Sequence, residues 1–226
     1  MTTEHSAPAP IVLFDLDGTI TDSAPGIHRT FRHALAAVDR PVPGDDVLAT
    51  IIGPPMRDTF VRLGFDPPTA ERAITAYTER YDEQGWAENS VYPGMRDVLR
   101  TARELGLRTA VATSKAEPFA ARILEHFDLT QYLDFVGGAT LDGSRRAKSD
   151  VIAHSLRALG VNPGEHDGVP IVMVGDREHD VEGAALWGVK AVFVAWGYGA
   201  PAEAEHAWRT VATTGELEEV LRELAR

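Results

Sequence analysis

Two aspartates spaced one residue apart, Asp15 and Asp17, follow directly on the apolar run Ile11-Val12-Leu13-Phe14. In extended backbone their side chains share a face. Two carboxylates that close do not both ionise cheaply, and one proton is retained unless a cation intervenes. A second apolar run, Arg108 to Ala112, is followed by Thr113-Ser114-Lys115. A third, Ile171 to Val174, leads into Gly175-Asp176 with Asp180 four residues further on. Oxygen ligands without His or Cys suit a hard ion, and Mg²⁺ is the expected one. Four aspartates carry four negative charges; one Mg²⁺ and one lysine return three, and a proton on Asp17 brings the sum to zero. A phosphate dianion then enters without strong repulsion.

These residues do chemistry together only if one scaffold brings them to a common rim. A short continuous apolar run fits a strand buried on both faces, as in a parallel sheet. A fourth such run is Ala191 to Val194, and helical sequence separates each run from the next. The alternation predicts an α/β fold with a doubly wound, Rossmann-like parallel sheet, in which ligands bind beyond the carboxyl ends of the strands. Ser114 with Glu117 reads as a capping box opening a helix through Phe119, Ile123 and Phe127, and Thr213 with Glu216 opens the last helix likewise. Gly106 and Gly160 stand where left-handed residues end helices.

Between Asp22 and Tyr92 the pattern changes. Helical segments near 24–38, 55–64 and 68–84 are broken by Pro41, Pro43, Pro54-Pro55 and Pro67-Pro68. The expected division is a mobile tail at 1–10, a core domain of 11–21 and 93–226, and an all-helical insert at 22–92, hinged near Thr21–Gly26 and Ser90–Gly94. Within the insert, Arg57 follows the rigid turn Gly53-Pro54-Pro55 and is placed either to meet a substrate anion or as an ordinary surface arginine. His179 is read as a surface or supporting residue, and Trp187, Trp196 and Trp208 as packing residues.

Composition narrows the function. The 226 residues include 22 Lys+Arg and 34 Asp+Glu, a formal net charge of −12 that argues against general binding to nucleic acid or an anionic membrane. There is no cysteine, which excludes disulfides, thiolate metal sites and thiol catalysis. No apolar run approaches the ~18–20 residues that span a bilayer. Residues 1–10 lack the basic and apolar regions of a signal peptide. A cytoplasmic protein, monomer or homodimer, is expected.

Asp15-Leu16-Asp17-Gly18-Thr19, Thr113 or Ser114, Lys148 and Gly175-Asp176-x-x-x-Asp180 together resemble, in order, the four motifs of the haloacid dehalogenase superfamily. The place of the insert is similar to that of its C1-capped, phosphoglycolate-phosphatase-like branch. The resemblance runs from about residue 10 to the end. It implies that Asp15 attacks phosphorus to form an aspartyl-phosphate, and that Asp17 protonates the leaving oxygen and then activates water. It implies that Thr113 binds the phosphoryl oxygens and Lys148 offsets their charge, with Gly18, Ser114 and Arg57 as further substrate contacts. Asp15, the Asp17 carbonyl and Asp176 are implied as Mg²⁺ ligands, with Asp180 supporting from behind or contacting Lys148. Lys148 is followed by Ser149, where the family often has proline, so Lys115 is the alternative lysine. Ser114 has a competing task as helix cap, which favours Thr113.

The implied activity is Mg²⁺-dependent hydrolysis of a small phosphate monoester, with phosphoglycolate first and a nucleoside monophosphate (5'-nucleotidase activity) second. A sugar phosphomutase shares all four motifs. A dehalogenase has no need of the acid at Asp17, and a phosphonate hydrolase needs a lysine in the insert, where none of Lys115, Lys148 and Lys190 falls. The sequence also resembles an actinobacterial branch in which a protein-tyrosine-kinase label occurs, although no Walker loop or kinase glycine-rich loop is present.

Overall fold

Each apolar run expected as a strand is a strand in the computed structural model, which describes residues 8–166 and 168–226. In chain order the elements begin with β1 (Ile11–Phe14), β2 (Thr21–Asp22), α1 (Ala24–Ala37), α2 (Asp45–Leu48) and α3 (Met56–Arg62). Next come α4 (Pro67–Glu83), β3 (Ser90–Val91), α5 (Met95–Glu104), β4 (Arg108–Ala116) and α6 (Glu117–His126). The last are β5 (Phe135–Ala139), α7 (Lys148–Ala158), β6 (Ile171–Gly175), α8 (Glu178–Ala185), β7 (Lys190–Val194), β8 (Arg209–Val211) and α9 (Thr214–Leu224).

Six strands form one parallel sheet in the order β5-β4-β1-β6-β7-β8. The order reverses between β1 and β6, so the crevice of a doubly wound sheet opens at their carboxyl ends. Phe14 pairs in register with both Val111 and Val174, and the Asp15 amide donates to the Val174 carbonyl at 2.8 Å. Asp15 and Asp176 therefore emerge side by side from adjacent strands.

Both faces of the sheet are covered, which is why its strands read as unbroken apolar runs. Val12, Phe14, Val172 and Val174 pack under α5, α6 and α9, while Ile11, Leu13, Ile171 and Met173 pack under α7 and α8. Gly106 and Gly160 take φ of +73° directly after α5 and α7. Thr213 accepts from the Glu216 amide at 3.2 Å, as expected of a cap.

The insert of α1 to α4 has its own apolar cluster around Phe31, Leu35, Ile51, Phe60 and Tyr81. Phe31 and Phe60 stack at 5.5 Å. At the expected hinge positions the chain forms two short strands: β2 and β3 pair antiparallel, Thr21 with Val91 and Asp22 with Ser90.

Three expectations differ. The helix expected to open at Ser114 begins at Glu117, with Ala116 at its N-cap, because β4 runs on to Ala116 and Pro118 suits the first helical turn. The Glu117 carboxylate bonds the Gly138 amide at 3.1 Å and Arg145 at 2.7 Å instead of closing a capping box. Trp208 is 39% exposed, with Lys190 and Arg209 over its ring, rather than packed. Of the tail at 1–10, residues 1–7 lie outside those described, and the Pro10 carbonyl already accepts from the Arg108 amide at 2.9 Å.

Candidate active site

Three carboxylates meet at the sheet's reversal point. Asp15 extends β1, Asp176 follows β6, and Asp180 lies in the first turn of α8; oxygens from all three lie within 4.8 Å of one another. All are buried, at 2%, 0% and 1% exposure. Lys148, the first residue of α7, reaches them from below. Its Nζ lies 2.9 Å from Asp15 Oδ1 and 2.7 Å from Asp180 Oδ1, and it donates to the Ala112 carbonyl at 3.1 Å. A cation at a helix N-terminus opposes the helix dipole, and these two carboxylates offset that cost. Burial alone lowers the proton affinity of Lys148, but Asp15 and Asp180 outweigh it and hold the ammonium above its ordinary pKa.

Asp176 is placed by its neighbours. The Tyr198 amide donates to its Oδ2 at 2.7 Å and the Thr19 hydroxyl to its Oδ1 at 3.3 Å. Burial first, then the nearby charges of Asp180 and Asp15, raise its pKa well above the usual carboxylate range. Gly18 has φ of +87°, and a Cβ there would strike Asp176 and the Tyr198 ring. Only glycine lets the backbone after Asp17 pass so close.

Asp17 turns away from this cluster. Its Oδ1 accepts from the Ser23 hydroxyl at 2.7 Å, and its Oδ2 lies 2.7 Å from Lys115 Nζ. Both lysines thus stand in the site: Lys148 between Asp15 and Asp180, and Lys115 against Asp17. Burial opposes the charge on Lys115, while Asp17 raises its pKa above the ordinary value.

Thr113 is buried within β4, three residues before its end, and its Oγ accepts from the Lys115 amide at 3.2 Å. Ser114 is not a helix cap, so that argument against it fails; it lines the cavity beside Asp17 and Lys115. Arg57 stands at the cavity's rim in a two-pronged pair with Glu71, Nη2 to Oε2 being 3.1 Å. His179 is half-buried rather than on the surface, and its Nε2 has no partner among the described residues.

The donor set fits a hard divalent ion. Its ligand atoms are oxygens of three buried carboxylates, Asp15, Asp176 and Asp180, that lie within 4.8 Å of one another. Lys148 supplies one positive charge against three negative ones.

The family model described as "Haloacid dehalogenase-like hydrolase" matches residues 12–194. The chain belongs to the haloacid dehalogenase-like hydrolases. Among similar haloacid dehalogenase-like sequences is the tyrosine-protein kinase PtkA of Mycobacterium tuberculosis, 47% identical over 94% of this chain and 71% of its own length. A 5'-nucleotidase of Pseudomonas aeruginosa is 38% identical over 86% of each chain. A predicted phosphatase of Clostridium acetobutylicum superposes with a TM-score of 0.88 at 35% identity, covering 96% of this chain and all of that one. This haloacid dehalogenase-like hydrolase is a phosphatase. None of its described helices is long and apolar enough to cross a membrane.

Reading the sequence for this site missed the pairing of Lys115 with Asp17, which no spacing rule reveals. The triplet Gly197-Tyr198-Gly199 after β7 resembles a loop near the family's active-site rim, but its sequence did not reveal the contacts of Tyr198, whose hydroxyl donates to Asp22 Oδ1 at 2.8 Å and accepts from the Ser23 and Ala24 amides at 2.8 and 3.0 Å.

Proposed function

We propose that the protein is a Mg²⁺-dependent phosphomonoester hydrolase in which Asp15 carries the phosphoryl group from substrate to water. The observation that carries this reading is the cluster of Asp15, Lys148, Asp176 and Asp180, with Asp17 directed from it toward the cavity under the insert.

An Asp15 oxygen attacks phosphorus and the bond to the leaving oxygen breaks; Asp17 gives that oxygen a proton. In the second half, water attacks the phosphoryl group, Asp17 takes a proton from it, and Asp15 and inorganic phosphate are released. Lys148 offsets charge on Asp15 and on the transferring group, and Thr113, with Ser114 beside it, holds phosphoryl oxygens. Asp15, Asp176 and the Asp17 carbonyl would hold Mg²⁺, with Asp180 behind them. When bound, the ion supplies the positive charge that a phosphate dianion needs. Residues 22–92 act as a cap that excludes water and contacts the leaving group, hinged at the β2–β3 ribbon.

Small phosphorylated metabolites suit a capped site. Phosphoglycolate and nucleoside monophosphates are the first to assay, the latter supported by the relative named 5'-nucleotidase. A phosphomutase would use the same residues with a longer-lived intermediate. The relative named as a tyrosine-protein kinase prompts a second reading, phosphoryl transfer to protein. Lacking a Walker or kinase loop, the chain would have to run that transfer through Asp15.

The test is phosphate release from a substrate panel with Mg²⁺ and with chelator, beside Asp15→Asn. Metal-dependent release that the variant loses is expected. Release from no compound overturns the reading, and ATP-dependent protein labelling that survives Asp15→Asn would sink the aspartyl route for the kinase alternative.

A further inference from the structure

The cavity beside Asp17 is where a leaving group must lie. In-line attack by Asp15 drives the leaving oxygen to the opposite side of phosphorus, toward the acid that protonates it. Asp17 is that acid in the function proposed above, and it lines a cavity of about 250 Å³ between the cap and the strand ends.

The chemistry of its wall is distinctive. Ile27, Ile51, Ile74, Tyr77, Tyr81 and Phe119 form its apolar side. Tyr77 and Tyr81 are stacked, 5.7 Å apart at 7°, and Phe119 meets Tyr81 edge-on at 5.1 Å. Every cation lining the cavity already has an acidic partner: Lys115 has Asp17, Arg57 has Glu71, and Arg146 has Asp58 at 3.3 Å. The Tyr81 hydroxyl is buried and has no hydrogen-bond partner among the described residues.

A two-carbon acid such as glycolate would leave most of this space unfilled. Its carboxylate would have to break one of three ion pairs to find a counter-charge. A flat ring would instead bury its faces against the tyrosines and aliphatic side chains, where apolar area and aromatic geometry both favour it.

We propose that this cavity selects phosphate monoesters with a flat, aromatic leaving group over those with a small anionic one. The inference rests on the phosphatase reading and gives it a substrate class. Aryl alcohols and nucleosides share the chemistry, and the assay separates them.

The experiment is kcat/KM for phenyl phosphate, uridine monophosphate, glycerol phosphate and phosphoglycolate with saturating Mg²⁺, on the wild type, Tyr77→Ala and Ile74→Lys. Thermal melts monitor folding. An aromatic substrate, phenyl phosphate or uridine monophosphate, is expected to exceed phosphoglycolate by at least about tenfold, and the better of the two names the source. Both variants should lower that ratio about tenfold or more, Ile74→Lys by also offering a carboxylate a counter-charge. Phosphoglycolate or glycerol phosphate turned over as well as the aromatics by the wild type overturns the inference while leaving the phosphatase intact. So does a ratio unchanged in folded variants. If a variant does not fold, the wild-type ratio of uridine monophosphate to glycerol phosphate decides, because both leave as alkyl alcohols. Release from none of the four removes the phosphatase reading and this inference with it.

Discussion

Lys115 Nζ stands 2.7 Å from Asp17 Oδ2 while the Tyr81 ring covers it at 4.8 Å to the centroid. One core lysine thus holds the second aspartate of the site and touches the α4 helix of the insert. The lysine side chain is 7% exposed, so solvent screens this pair little.

Removing that ammonium tests the relationship. Lys115→Met leaves the Asp17 carboxylate buried with Ser23 as its remaining partner. Breaking a buried pair from one side costs ~3–5 kcal/mol. The expected results are a lowered Tm and a kcat reduced by about tenfold to a hundredfold, with a smaller change in KM. A wild-type Tm and kcat would show that the contact has no consequence.

Asp17→Asn keeps the shape of the side chain and removes its ability to exchange a proton. Turnover is expected to fall by ~10²–10⁴, the usual share of general acid–base catalysis. A phenol leaving group, which departs more readily without protonation, should be less affected than an alkyl alcohol. Equal losses on phenyl and glycerol phosphates would argue against Asp17 as the acid.

Metal and pH are coupled through Asp176. Its pKa is raised by burial, then by Asp180 and Asp15. In metal-free protein the folded state keeps this proton where the unfolded chain has lost it. Stability therefore falls as pH rises from the ordinary carboxylate range, about pH 4, toward the raised value. A divalent cation removes the need for that proton. The gap in Tm between Mg²⁺-loaded and metal-free protein should widen from pH 5 to pH 7.5, and a gap independent of pH would contradict it.

Tyr198 ties the cluster to the start of the helical insert. Its amide holds Asp176, and its hydroxyl holds Asp22 and the first amides of α1. Tyr198→Phe retains the amide bond and loses the others, leaving partly buried donors unpaired at a cost of ~1–3 kcal/mol. A lower Tm with an unchanged Mg²⁺ binding constant by calorimetry is expected. Weakened Mg²⁺ binding would mean that the hydroxyl, rather than the amide, positions Asp176.

Much of the core was readable before any coordinates. Ile11–Phe14, Ile171–Val174 and Ala191–Val194 are strands because strands buried on both faces leave no room for polar alternation. Two strands of the parallel sheet were not readable, nor were the two-residue strands β2 and β3. Phe135–Ala139 carries two glycines, and Arg209–Val211 is too short for any period. The expected cap at Ser114 failed for a related reason: a local Ser-x-x-Glu pattern competes with pairing to β5, which carries β4 on to Ala116.

The order of the aspartates, their places after apolar runs, the lysine at Lys148 and the helical stretch between Asp22 and Tyr92 are all properties of the linear chain. From them follow the fold class and the kind of chemistry, because strand periodicity and residue type are local. Which lysine meets which aspartate, that Ser114 is free to line the cavity, and that Tyr77, Tyr81 and Phe119 wall the leaving-group space are not local. Residues 22–92 fold onto strand ends distant in sequence, and their register there depends on packing the cluster around Phe31 and Phe60 as a whole. The reaction class was therefore legible in one dimension, whereas the shape and charge of the cavity arise where the helices of the insert meet the strand ends.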